Sequence, residues 1–223
     1  RFKAPVGYAP LFFASIGWYS PVSGVREKAR SVMDTLVDDP TDTLFDLVRL
    51  ESDPEVKLEA LLAEERSDAP AEGKGRVAVE ALRQSLIRAP ANVSESNTFG
   101  RLRLHAMEML IENGSTSEEA VGYLDEVMRS SFDINQRITA IVALGSTGTD
   151  EAISALVRYL KLQNERQLAG VTPEDYRIIR ATIQVLGQTG SSLAVEELLA
   201  VGISDWPSSI VREADAALEA IQE

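Results

Sequence analysis

Gly145-Ser146-Thr147-Gly148 has the composition of a phosphate cradle, with two glycines that let backbone amides approach an anion and two hydroxyls between them. Its spacing argues otherwise. A dinucleotide fingerprint needs Gly-x-Gly-x-x-Gly after a strand, and a P-loop ends in Gly-Lys-Ser/Thr. This stretch has neither, follows an apolar pattern of helical period, and recurs as Gly187-Gln188-Thr189-Gly190. It reads as a corner between helices. The single histidine, His105, lies between Leu104 and Ala106 with no serine or cysteine nucleophile motif beside it. A general base without a nucleophile or an orienting partner makes no hydrolase, so a partly buried interface histidine is expected. Glu64-Glu65, Glu118-Glu119 and Glu196-Glu197 resemble paired carboxylates. Adjacent helical positions diverge by about 100°, so these pairs belong to solvated helix faces. No spacing matches an oxygen-ligand calcium loop. The chain has no cysteine, which excludes disulfides, thiolate catalysis and cysteine metal sites. The expectation is a protein with no catalytic residue, no metal and no cofactor.

Charge narrows the partners. The 223 residues carry a net charge of −13, which opposes nucleic-acid binding, where a basic face must neutralise phosphates. Residues 1–30 hold five Lys/Arg against Glu27, leaving −17 on the other 193 residues. No apolar run approaches the roughly 20 residues that span a bilayer. The chain begins at Arg1, so a processed or truncated product is expected, with any signal or anchor lying upstream. Membrane proximity through such a segment stays open. The missing cysteines and aromatic start lean the expectation toward an extracytoplasmic, periplasmic or membrane-anchored location.

The elements that must position these residues are helical. Ile138, Ile141, Val142 and Leu144, then Ile153, Leu156, Val157 and Leu160, follow the i, i+3, i+4 rule on either side of the corner. The hairpin at 139–159 repeats at 181–201 with an offset of 42, and 102–124 aligns with it at an offset of 34. Stretches 25–50, 53–65 and 208–222 repeat the opening helix. Each opening helix carries a base near its start: Arg26, Lys57, Arg103, Arg137, Arg180 and Arg212, spaced by 31, 46, 34, 43 and 32 residues. Such a period signals a solenoid. Glycines 114, 148 and 190 are placed to take the positive φ that reverses the chain after a helix. Asp150, Ser115 and Ser191 or Ser192 then offer N-caps to the next helix.

These residues, with Asp53-Pro54-Glu55-Val56-Lys57, Asp133 four residues before Arg137, and Ala140 with Ala143-Leu144-Gly145, resemble the HEAT-repeat family of the wider armadillo-like class over 25–223. The resemblance implies an all-α, right-handed superhelical solenoid of about five helix pairs plus a final helix. An irregular aromatic segment over 1–24 precedes it. Repeat two departs by lacking the Leu-Gly corner, and in repeats five and six the base sits one place later. The family's di-iron hydroxylases need several His-Glu pairs, and its DNA glycosylases need a basic groove. Neither fits one histidine and −17.

The function expected is therefore a non-enzymatic scaffold that binds a protein or peptide partner. The alternatives are a bilin-lyase-like enzyme subunit and a structural component of a cell-envelope or appendage assembly. Three regions are candidates for binding. Connections from closing to opening helices, 87–100, 162–175 and 204–209, lie along one edge of a solenoid, and the last holds Trp206 beside Pro207. Tyr123 and Tyr159, with Arg158 beside the latter, occupy equivalent places on two closing helices, which line the concave face in this family. The segment 1–24 holds six of the chain's 13 aromatics, among them Phe12, Phe13 and Trp18, and is expected to be extended. Residues 67–75 read as a flexible spacer on the opposite edge.

Overall fold

The computed structural model describes residues 22–25, 27–28, 40–113, 117–172 and 174–222. Among them there are helices and no strand. Chain contacts divide the protein at Met109 and Leu110 into two compact units.

In the first unit, α1 (Thr41–Leu50), α2 (Pro54–Glu65) and α3 (Ala71–Gln84) pack against one another, and α4 (Val93–Glu112) begins here. Helix α2 starts as its sequence dictates: Asp53 accepts from the Glu55 amide, and Pro54 fills the first helical position, where no donor is needed. Leu44, Leu47, Leu58, Leu61, Ala78 and Leu82 form the core. The spacer expected over 67–75 is shorter, because α3 already begins at Ala71. Its Gly73 approaches Thr41 closely enough that an added Cβ would lie 3.1 Å from the threonine Oγ1.

The second unit contains α5 (Glu118–Ser130), α6 (Ile134–Thr147), α7 (Asp150–Leu168), α8 (Tyr176–Gln188), a 3-10 turn (Ser192–Ala194) leading into α9 (Val195–Val201), and α10 (Ser208–Gln222). Alternate helices pack together. The opening helices α6, α8 and α10 form one layer, and α5, α7 and α9 form the other. Two glycines permit the close approach within the first layer. A Cβ on Gly145 would fall 2.2 Å from Val185 Cγ1, and one on Gly187 would fall 2.8 Å from the Ala217 Cα. The glycines that close α6 and α8 have the expected left-handed backbone, with φ of 64° at Gly148 and 63° at Gly190. Gly114 and Ser115 lie outside the described residues. Helix α7 is capped by the Thr149 side chain, not by Asp150, which is already helical. The hydroxyl of Thr149 reaches the Ala152 amide and leaves Asp150 free to favour the positive end of the helix dipole.

The recurring bases have a common purpose in three of the repeats. Lys57 donates to the Val48 carbonyl, Arg103 to the Ser85 carbonyl at 3.0 Å, and Arg137 to the Met128 carbonyl at 2.7 Å. Each satisfies a carbonyl that the end of the preceding helix leaves without an intrahelical partner. Arg180 and Arg212, shifted by one place, do something else: Arg180 pairs with Glu213 on α10 at 3.2 Å, and Arg212 bonds the Ser208 carbonyl of its own helix. Arg26 lies outside the described residues.

Candidate binding edge

Two of the three connections from closing to opening helices in the second unit are fastened to neighbouring helices. Between α5 and α6, Asp133 caps α6 by accepting from the Asn135 and Gln136 amides. One turn on, Arg137 turns back over α7. It donates to the Tyr159 hydroxyl at 2.8 Å and to both Glu174 oxygens at 3.1 and 2.7 Å. The Tyr159 hydroxyl donates in turn to Glu174 at 3.2 Å. Glu174 belongs to the α7–α8 connection, so this triad fastens that loop to α6 and α7. Burial works against ionising Glu174, but Arg137, the Asp175 amide and the Tyr159 hydroxyl outweigh it and hold the carboxyl below its ordinary value. Burial pushes the Tyr159 hydroxyl far up, so it remains a neutral donor.

The α9–α10 connection is fastened to the end of α7 in a similar way. Gln167 donates to the Asp205 carbonyl at 2.9 Å, and the Trp206 indole donates to Asn164 Oδ1 at 2.8 Å. The Asn164 amide donates onward to the Glu197 carbonyl at 3.1 Å, and Tyr176 meets the Trp206 ring edge-on at 6.1 Å. Asp205 reaches this geometry with φ of 58°, a left-handed backbone that its short polar side chain tolerates better than most.

This framework carries apolar side chains outward. Phe132 is 105% exposed and Ile203 78%, and Leu168, Val171 and Tyr176 are exposed between them along the chain. The opposite edge consists of the tight corners at Gly148-Thr149 and Gly190-Ser191, where Leu193 is the exposed large apolar residue. Phe132 stands immediately before the N-cap, a position where a hydrophobic residue commonly packs back onto the first turn of the helix. Here it does not.

The residues singled out from sequence are distributed differently from expectation. Trp206 was expected to be exposed on the edge, but it is 6% exposed and packs inside, where Asn164, near the end of α7, accepts a hydrogen bond from its indole N–H. Tyr159 is also buried, its hydroxyl held by Arg137 and Glu174, so it cannot stack on a ligand with Tyr123. Tyr123 is half-buried and Arg158 is exposed. Phe12, Phe13 and Trp18 lie outside the described residues. His105 is half-buried, with Nδ1 3.5 Å from Glu108. The expected loop lengths also contract: α4 begins at Val93 and α7 runs to Leu168, leaving 85–92 and 169–175 as connections.

Among the described residues no cluster of His, Asp or Glu is placed to hold a metal, and no helix is long and apolar enough to cross a membrane. No family sequence profile matches the chain, and no curated protein matches it. Among solved structures it is similar to an engineered protein whose crystal structure comes from the Northeast Structural Genomics Consortium. The TM-score is 0.52 and the identity 19%, over 96% of each chain. At that identity the likeness concerns the helical fold alone.

Proposed function

We propose that the protein is a HEAT-like α-solenoid and a non-enzymatic scaffold, with the loop edge of residues 110–223 as its docking surface for a protein or peptide. The observation that carries this reading is that the two most exposed large apolar side chains described in residues 110–223 fall in connections of this edge: Phe132 and Ile203 stand almost wholly in water, while Glu174 and Asp205 of the same edge are tied to neighbouring helices. Exposed apolar residues gathered on one surface mark an interaction site more often than chance scatter does. A rigid edge also loses little conformational freedom on binding, which favours affinity. The 42-residue recurrence of close-approach and corner glycines, Gly145 with Gly187 and Gly148 with Gly190, supports the solenoid part of the reading. The helix face bearing Arg158 is a second contact region in this account, adjoining the edge through α7.

Photo-crosslinking in the source cells tests the reading. A benzophenone side chain in place of Phe132 is expected to capture a discrete protein, whereas the same group in place of Leu193 on the opposite edge captures none. Equal capture from both edges, or none from either, would remove the edge from the account.

A further inference from the structure

The unit that carries the apolar edge is acidic. Residues 110–223 hold 18 Asp/Glu against eight Lys/Arg, a net of −10 out of the chain's −13. Five of those eight cations are already engaged: Arg129 with Asp125, Arg137 with Glu174, Lys161 with Glu197, Arg177 with Asp175, and Arg180 with Glu213. On the edge itself Arg177 and Arg137 are thus neutralised, and Arg166 is the remaining cation. Against it stand Asp133, Glu165 and Asp205, none of them in an ion pair among the described residues. Phe132 adjoins Asp133, Leu168 follows Glu165 by less than one helical turn, and Ile203 lies two residues before Asp205. Each of these exposed apolar side chains therefore has, within three residues of it in the chain, an exposed carboxylate outside any described ion pair.

We propose that this edge accepts a cationic segment carrying apolar side chains, its aliphatic or aromatic groups meeting Phe132, Leu168 and Ile203 while its Lys or Arg side chains meet Asp133, Glu165 and Asp205. The proposal rests on the reading of the edge as a docking surface. Long-range attraction to a unit of −10 raises the encounter rate for a basic partner and repels acidic ones, and it equally disfavours an anionic bilayer. The apolar contacts supply affinity that salt cannot screen. A basic partner without apolar groups would leave Phe132 in water, and an apolar partner of negative charge would bring like charges together.

Three synthetic peptides of about 18 residues, each about 27 Å long as a helix, test it against the full chain by fluorescence anisotropy. One is Lys/Leu and one Glu/Leu, both patterned to be amphipathic, and the third keeps the lysine spacing of the first with serine in place of leucine. The Lys/Leu peptide is expected to bind at least about tenfold more tightly than either other, a difference of about 1.4 kcal/mol. Raising the salt to about 0.5 M should weaken it without abolishing it. The F132S/I203S variant, altered only at exposed side chains, should lose about tenfold in affinity with unchanged melting temperature. Tighter binding of Glu/Leu would overturn the charge assignment while the edge remained a docking surface. Equal binding of Lys/Ser, or an F132S/I203S variant that binds Lys/Leu as well as the parent, would overturn the proposal by leaving only general electrostatic attraction. Failure of all three peptides, or uptake of the protein by zwitterionic phosphatidylcholine vesicles through Phe132, would overturn it as well.

Discussion

Replacing Gly187 by alanine probes the packing that the repeat imposes. In an exposed helix the change would stabilise by about 1 kcal/mol, since alanine is the better helix former. Here the new methyl would sit 2.8 Å from both Cα and Cβ of Ala217, atoms of a neighbouring helix that cannot rotate away. Helices α8 and α10 must separate by several tenths of an ångström, an overpacking cost of about 1–3 kcal/mol at the upper end of its range. The net expectation is a loss of about 2 kcal/mol, read as a drop of about 4–8 °C in melting temperature for a chain of this size. Gly145→Ala meets a side chain instead, at 2.2 Å from Val185 Cγ1, and truncation of that side chain relieves it. In a double-mutant cycle, Val185→Ala should recover about 1 kcal/mol of the Gly145→Ala penalty. Urea denaturation followed by circular dichroism provides the free energies. A Gly187→Ala protein more stable than the parent would refute the close approach of the two helices, and with it the layered arrangement of the second unit.

Trp206→Ala should cost about 3–5 kcal/mol, because it empties a buried site and leaves the Asn164 Oδ1 without its donor; a change below about 1 kcal/mol by thermal denaturation would return the indole to the surface. Glu174 has a depressed pKa in the fold, so its stabilisation is complete above its unfolded value and is lost as pH falls through the folded one. Glu174→Gln should therefore flatten the acid limb of the stability profile and loosen residues 169–175 to proteolysis; an unaltered acid limb would contradict the triad. Burial draws Lys57 from 10.5 down to about 8, partly opposed by Glu80, so its charged form costs stability below pH 8 and that cost is relieved as pH rises toward 10.5. Linkage puts the full effect at about 3 kcal/mol. Between pH 8 and about pH 9, before an unfolded tyrosine with its ordinary pKa of 10.0 ionises appreciably, stability should rise in the parent and not in Lys57→Met.

The helices were legible because their signals are local. Asp53-Pro54 and Asp133 sit at caps, Gly148 and Gly190 at corners, and the apolar period runs unbroken between them. The bases were legible as a repeat, but their bonds to Val48, Ser85 and Met128 were not, since a carbonyl acceptor leaves no mark in the sequence. Trp206 and Tyr159 were misplaced for a related reason. A tryptophan in a Pro-terminated loop reads as exposed unless its partner is known, and Asn164 lies 42 residues earlier. Tyr159 is fixed by Glu174, a loop carboxylate with no motif around it. The exposed Phe132 carried one signal that was available, an aromatic directly before an N-cap aspartate, but that pattern more often describes a side chain packed onto its helix.

Hydrogen exchange on the protein with its crosslinked partner bound tests the central claim most directly. The account predicts added protection at residues 131–133, 168–172 and 202–207, the connections that carry the exposed apolar side chains, with the corners at 148–149 and 189–191 unchanged. Protection at those corners instead, with the three connections exchanging as in the free protein, would contradict it.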